Sequence, residues 1–365
     1  MWYNRYMIYL DYASTSILRK DILKKIYDNI DEFDGNTESL HQFGRSSKRI
    51  LEDSREVIAN SLNCDVDQIY FNSGGSEGNN TIINNFKDDH IISSSIEHSS
   101  IRYSLAGLNA TDIKPNKDGF LSPREYMQAI RENTKLVTMQ LVNNEVGMIE
   151  PVEELGMTLK ARYPDIWFHV DAVQAYGHVD LDAQKLFCDS LSISGHKLGG
   201  TKNFGVLYSK KEFNPLIIAG NQERGLRGGT SNIIGAYSLA ESYKATLNER
   251  EKIKELKAYF IKSLDESGIE YEINSNPDLT ISHIVNVYFP SLKTNLLLTY
   301  LDMKGIAVSS GSACSAGSHI PAVSLIEMNG VRRADSSIRF SFGYTNTKED
   351  IDYTINVLKE LKHEE

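Results

Sequence analysis

Four short stretches of this chain carry side chains suited to chemistry. Cys314 lies in Ser309-Ser310-Gly311-Ser312-Ala313-Cys314-Ser315-Ala316-Gly317, among residues too small to bury it. A thiol kept for packing behaves as a small hydrophobe among apolar neighbours, whereas one set among Gly, Ser and Ala is placed for reactivity. Lys197 follows the apolar run 190–193 in Ser194-Gly195-His196-Lys197 and precedes Leu198-Gly199-Gly200. Glycines there admit close neighbours, and burial of a lysine favours the neutral amine that a Schiff base requires. Asp171 ends the apolar stretch 167–170 and so projects at the carboxyl edge of a sheet, where open α/β folds take their ligands. Ser73-Gly74-Gly75-Ser76 joins a short strand pattern to a helical one, and backbone N–H groups at such a turn hold anions.

Each stretch also has a plain structural reading: a chance surface thiol, a loop lysine, a helix N-cap, an ordinary strand-to-helix turn. Together they describe one ligand. An anion cup, a carboxylate and an amine match the phosphate, ring nitrogen and aldehyde of pyridoxal 5′-phosphate. At an effective dielectric near 20, a carboxylate against a protonated ring nitrogen gains about 4 kcal/mol at a separation of roughly 4 Å. The cup lacks the GK[ST] ending of a nucleotide loop, and no GxGxxG followed by an acid is evident, which favours a monophosphate over ATP or NAD.

The elements that must position these groups follow from periodicity. Ile50, Leu51, Val57, Ile58 and Leu62 share one face of a helix predicted over 45–62. Strands are predicted at 68–71, 90–92, 135–142, 167–170, 190–193 and 204–208, with helical patterns between several of them, as at 151–162. This alternation implies an α/β fold with a mostly parallel sheet covered by helices on both faces. A charged helical stretch at 249–266 bridges to a smaller α+β part with strands at 283–289 and 337–342 and helices at 294–303 and 348–361. The expected division is a large domain over 13–245 and a small one over 246–365, the latter joined by residues 1–12.

Bulk properties narrow the partners. A chain of 365 residues, 41% hydrophobic and 24% charged, has the composition expected of a soluble globular protein and a length that predicts two domains. No apolar run is long enough to span a membrane, and the opening six residues hold no signal-peptide core. The three cysteines form no CxxC pair, so neither a metal site nor a disulfide framework is expected, and a cytoplasmic location is. Cys188 reads as core and Cys64 as structural or incidental. The net charge of −10 argues against direct binding of nucleic acid and leaves protein partners open.

The chain resembles the NifS-like cysteine desulfurases of the class V aminotransferase family, fold-type I pyridoxal-phosphate enzymes. The resemblance runs from Tyr9-Leu10-Asp11-Tyr12-Ala13-Ser14-Thr15 to Ile351-Asp352-Tyr353. Its most specific pieces are Ser95-Ile96-Glu97-His98, Val142-Asn143-Asn144-Glu145, His169-Val170-Asp171-Ala172-Val173-Gln174, Ser194-Gly195-His196-Lys197, Glu223-Arg224-Gly225-Leu226-Arg227-Gly228-Gly229-Thr230, the Cys314 loop and Ser337-Ile338-Arg339-Phe340. The resemblance implies that Lys197 joins the cofactor aldehyde, that His98 stacks on the ring and moves protons, and that Asp171 pairs with the ring nitrogen. Gln174 and Asn144 are implied near the ring hydroxyl and the substrate. Gly75, Ser76, Ser194 and His196 are implied at the phosphate, joined by Thr230 from the second subunit of a homodimer. Arg339 is implied as the clamp on the carboxylate of L-cysteine, a task suited to its planar fork. Cys314, which precedes Arg339 by 25 positions (339 − 314), is similar to the cysteines of family members with the longer version of this loop. It would take sulfur as a persulfide and pass it to an acceptor protein, either a tRNA-thiolation enzyme or an iron–sulfur scaffold, leaving L-alanine.

The chain departs from the family pattern in places. The cup reads Gly-Gly-Ser-Glu-Gly where Gly-Ala-Thr-Glu-Ser is common, though Ser76 keeps a hydroxyl, and Gly228 stands where serine is frequent. The sequence stops at Glu365, where members serving an iron–sulfur scaffold often continue, which tilts the expected acceptor toward tRNA thiolation. Selenocysteine lyase, another class V activity, and a non-catalytic paralogue that serves as a binding partner stay open at this point.

Overall fold

The computed structural model describes residues 7–311 and 321–361, so Cys314 lies outside the described residues. In chain order the strands are β1 (Ile8–Tyr9), β2 (Ile69–Asn72), β3 (His90–Ser94), β4 (Ala110–Ile113), β5 (Thr134–Gln140), β6 (Trp167–Asp171), β7 (Ser190–Ser194) and β8 (Gly205–Ser209). They continue with β9 (Glu272–Ile273), β10 (Ile284–Tyr288), β11 (Ile306–Ala307) and β12 (Ser337–Ser341).

Seven strands form the central sheet in the order β2-β8-β7-β6-β5-β3-β4. All neighbours run parallel except at β8, which is antiparallel to both β2 and β7. Strands β3, β6, β7 and β8 are buried along their whole length, the pattern of a sheet covered on both faces. This is the α/β architecture expected from the sequence. Reversing β8 has a consequence for the site: its N-terminal end, with Lys202 and Asn203 just before it, lies at the edge where β6 and β7 end. Gly205 pairs with both Asn72 and Ser194. A Cβ there would lie 2.5 Å from the Gly74 Cα, so only glycine lets β8 pass the turn after β2.

The smaller assembly is an antiparallel sheet, β12-β10-β9, with β1 paired in parallel to β11. The helix Ile233–Asp265 runs 33 residues and serves two hydrophobic cores. Ala236 and Leu239 pack with the central sheet, whereas Ile253, Leu256, Phe260 and Leu264 pack with Ile8, Leu10, Val285 and Phe340. The chain therefore passes from one core to the other inside a continuous helix. No helix of the described residues is long and apolar enough to cross a membrane.

Candidate active site

The C-terminal ends of the parallel strands deliver the polar groups. Asp171 is the last residue of β6, buried, with Oδ1 accepting from the Val173 N–H at 3.0 Å and Oδ2 from Asn79 Nδ2 at 2.8 Å. Lys197 closes the single turn Gly195–Lys197 after β7. Its Nζ donates to the carbonyls of Ala13 (2.6 Å) and Ser14 (2.9 Å). His98 stands after β3 at the start of a short helical turn, where its Nδ1 accepts from the Ser100 N–H at 3.1 Å. With Nδ1 occupied as an acceptor, the proton of the neutral ring sits on Nε2.

Beyond β2, the helix Gly75–Asn85 begins at the cup. Gly74 has φ of +143°, and a Cβ on Gly75 would lie 2.5 Å from Val173 Cγ2. Glu77 reaches back to the Ser73 N–H at 2.8 Å and pairs with Arg227 at 2.9 Å, which holds its carboxyl below the usual range despite partial burial. His196 touches Thr15 Oγ1 through Nδ1 at 3.1 Å. Burial, and after it the charge of Lys197, brings its pKa down to about 3.

Across the mouth stands Arg339, in the middle of β12 and only 1% exposed. Nη1 donates to the Asn144 carbonyl at 2.7 Å, and Nη2 to Asp11 Oδ1 at 2.8 Å and Ser14 Oγ at 2.9 Å. Gln174 Nε2 donates to the Ala13 carbonyl at 2.7 Å, so its Oε1 accepts, at 3.3 Å, from His283 Nε2. Burial, and after it the Asp171 charge, pushes the carboxyl of Glu97 well above its ordinary pKa.

One cavity of about 440 Å³ unites these groups, a size suited to a small organic ligand. Gly75, Ser76, His98, Asn144, Asp171, Gln174, Ser194, His196, Lys197 and Arg339 all line it. Lys197 and Asp171 therefore face a shared space. Thr230 does not line this cavity and is exposed at the surface.

The aminotransferase class-V family matches residues 8–354. The chain belongs to that family. It is 36% identical to the cysteine desulfurase IscS of Dictyoglomus turgidum (strain DSM 6724 / Z-1310), over 97% of this chain and 94% of that protein. It is also 36% identical to the cysteine desulfurase IscS of Methanosarcina thermophila, over 97% and 91%. Among solved structures, a NifS-like protein from Rickettsia africae ESF-5 superposes with a TM-score of 0.88 at 31% identity, covering 98% of this chain and 99% of that one. As a class V aminotransferase of the cysteine desulfurase group, the protein is a pyridoxal-phosphate-dependent enzyme.

The cavity fits that cofactor. Its glycine cup has no room for a side chain at Gly75, and two buried donors in its wall, Gln140 Nε2 and Arg339 Nε, have no acceptor among the described residues. Sequence reasoning missed several members of this class V site: Asn79, Ser100, Gln140, Lys202 and the carbonyls of Ala13 and Ser14. A signal for Asn79 existed. Gly75, Gly78, Asn79, Ile82 and Ile83 form the buried stripe of one helix, and a polar side chain in such a stripe must be answered by partners.

Proposed function

We propose that the protein takes sulfur from L-cysteine onto Cys314 as a persulfide, releases L-alanine, and passes the sulfur to an acceptor protein. The observation that carries this reading is the shared cavity of Lys197, Asp171 and the glycine cup, on a chain whose relatives are named cysteine desulfurases. When bound, pyridoxal 5′-phosphate supplies an aldehyde for amines and a ring that draws electrons from the substrate α-carbon. Lys197 offers the amine for that aldehyde, and its two carbonyl partners hold Nζ in place. Asp171 would pair with the ring nitrogen and hold a proton there. His98, with Nδ1 tied to Ser100, presents Nε2 for proton transfer. Gln174 and Asn144 serve the ring hydroxyl and substrate. Gly75, Ser76, Ser194 and His196 take the phosphate, whose charge the N-terminus of Gly75–Asn85 favours.

Arg339 receives the substrate carboxylate. Its Nε has no acceptor among the described residues, and its Nη groups are anchored by Asn144, Asp11 and Ser14, so the guanidinium is held in an orientation that an ammonium cannot reproduce. Arg339→Lys is expected to raise KM for L-cysteine about 100-fold, the cost of a lost charged bidentate contact, with the cofactor absorbance retained. Steady-state kinetics at several cysteine concentrations check this, and an unchanged KM would remove Arg339 from the substrate site.

The active unit is a homodimer in which Thr230 completes the partner's phosphate site. The turn that carries Thr230 is bonded to loops with exposed apolar side chains. Leu40 is 90% and Ile218 82% exposed, and both belong to loops tied to the 228–231 turn through Thr37–Ser231 (3.3 Å) and Gly228–Ile217 (2.9 Å). The Arg227–Glu77 pair connects that turn to the cup. A cytoplasmic location accords with the free thiols Cys64 and Cys188. The acceptor is a tRNA-thiolation enzyme or an iron–sulfur scaffold, with the alternative substrate selenocysteine as the test's second arm. Purified protein given pyridoxal phosphate and then L-cysteine is expected to show a cofactor band, release alanine and sediment at twice the 41.1 kDa chain mass. Alanine formed faster from selenocysteine than from cysteine would replace the proposed substrate, and no alanine from either would overturn the proposed sulfur transfer.

A further inference from the structure

Behind the cavity wall a file of hydrogen bonds, buried at its inner end and part-buried at its outer end, runs from β6 and β7 to two groups given cofactor roles above. The Trp167 Nε1–H donates to Ser190 Oγ at 2.7 Å, and an indole can only donate. Ser190 Oγ in turn lies 2.8 Å from His169 Nδ1. His169 Nε2 is 3.0 Å from Asn79 Oδ1, with Ser192 Oγ at a longer 3.5 Å. The two hydrogens on Asn79 Nδ2 go to Asp171 Oδ2 (2.8 Å) and Ser100 Oγ (2.9 Å). Ser100 Oγ is 2.8 Å from His98 Nδ1.

Donor accounting leaves one arrangement. An Asn79 amide turned the other way would set its oxygen against the Asp171 carboxylate. The amide therefore points its N–H groups at Asp171, its oxygen requires Nε2–H on His169, and His169 Nδ1 must accept from Ser190. Ser100 accepts from Asn79 and so gives its own proton to His98 Nδ1. Asn79, His169 and Ser190 are fully buried, so water cannot substitute for any partner. Burial also brings the His169 pKa down to about 3, so the ring meets Asn79 as a neutral donor. A neutral file orients the Asp171 carboxylate without cancelling its charge, which stays available for a positive ring nitrogen.

We propose that Asn79 and His169 are positioning residues of this enzyme: one amide, held in a single orientation by His169, aims both Asp171 and His98 at the cofactor. The inference rests on the roles assigned to Asp171 and His98 in the proposed function. Its test is His169→Leu, which removes both ring contacts at similar volume, read by absorbance titration of the apoprotein with pyridoxal phosphate and by steady-state kinetics. Expected are a roughly 10-fold weaker cofactor affinity and a roughly 10-fold lower kcat per bound cofactor, with KM for cysteine within about twofold, the size expected from loss of a hydrogen bond serving a charged group. His169→Gln, whose amide can still donate to Asn79 Oδ1, is expected to restore most of both. Should His169→Leu fail to fold, Ser190→Ala removes the donor to Nδ1 with little volume change and is expected to move the same two readouts in the same direction by about threefold. A variant that loses only thermal stability, with wild-type affinity and kcat, would overturn the inference. Wild-type protein that binds no pyridoxal phosphate would instead overturn the reading beneath it.

Discussion

Lys197→Ala is expected to bind pyridoxal phosphate only reversibly and to lose turnover of L-cysteine by about 10³-fold or more, the scale of losing a group that acts on the reacting atoms. The cavity contains a second amine, that of Lys202. The two differ in how they are held. Lys197 closes the turn after β7, is partly buried, and has Nζ fixed by the carbonyls of Ala13 and Ser14, whereas Lys202 is exposed beside β8. A near-attack geometry requires the former kind of restraint. Borohydride reduction of the wild-type holoenzyme followed by peptide mapping is expected to mark residue 197. Label at Lys202 would reverse the assignment. The fold should survive the substitution, because the two carbonyls released border the cavity, where water can reach them.

The sequence was most legible where the chemistry is local. Strands β3, β6, β7 and β8 are continuous buried runs, and because β3, β6 and β7 lie parallel the motif that follows each of these three is delivered to the same sheet edge. The edge strand β4 (Ala110–Ile113) was not read, because Ala-Thr-Asp-Ile is half exposed and has no apolar run to mark it. The first half of the helix Ile233–Asp265 escaped for the opposite reason. It buries Gly235, Ser238, Ser242 and Thr246 beside Ala236 and Leu239, which blurs the amphipathic period that the 249–266 half displays. Partners far apart in the chain could not be read from spacing at all. Arg339 owes its aim to Asp11 and Ser14, more than three hundred residues away, and Lys197 owes its restraint to Ala13. The orientation of Asn79 depends on a histidine and a serine from two separate strands, a dependence that only packed coordinates reveal.

Cys314→Ala is expected to keep the wild-type cofactor absorbance and its response to L-cysteine while losing sulfur release by about 10²-fold or more. Elimination supports the choice of thiol. The nucleophile must be a thiolate, and burial, followed by Asp65 and Asp67, pushes the Cys64 pKa up to about 12. Burial takes that of Cys188 to about 12 as well. At neutral pH each is ionised to roughly one part in 10⁵, and neither lines the cavity. Chain connectivity supports it too. Ser309 exchanges both backbone hydrogen bonds with Arg339, at 3.3 and 2.6 Å. Gly311 lies against Ala322, where a Cβ would come within 2.9 Å of the Ala322 Cα. Just beyond, the Ser324 N–H donates to Glu145 Oε2 at 2.7 Å and its Oγ accepts from Asn143 Nδ2 at 2.9 Å. Both ends that bracket 312–320 are thus fastened beside Arg339 and Asn144, at the proposed carboxylate site. Alkylation of the enzyme after a single turnover with ³⁵S-cysteine, followed by peptide mapping, checks the result. Label found on Cys64, or full sulfur release from the Cys314→Ala enzyme, would move the persulfide elsewhere.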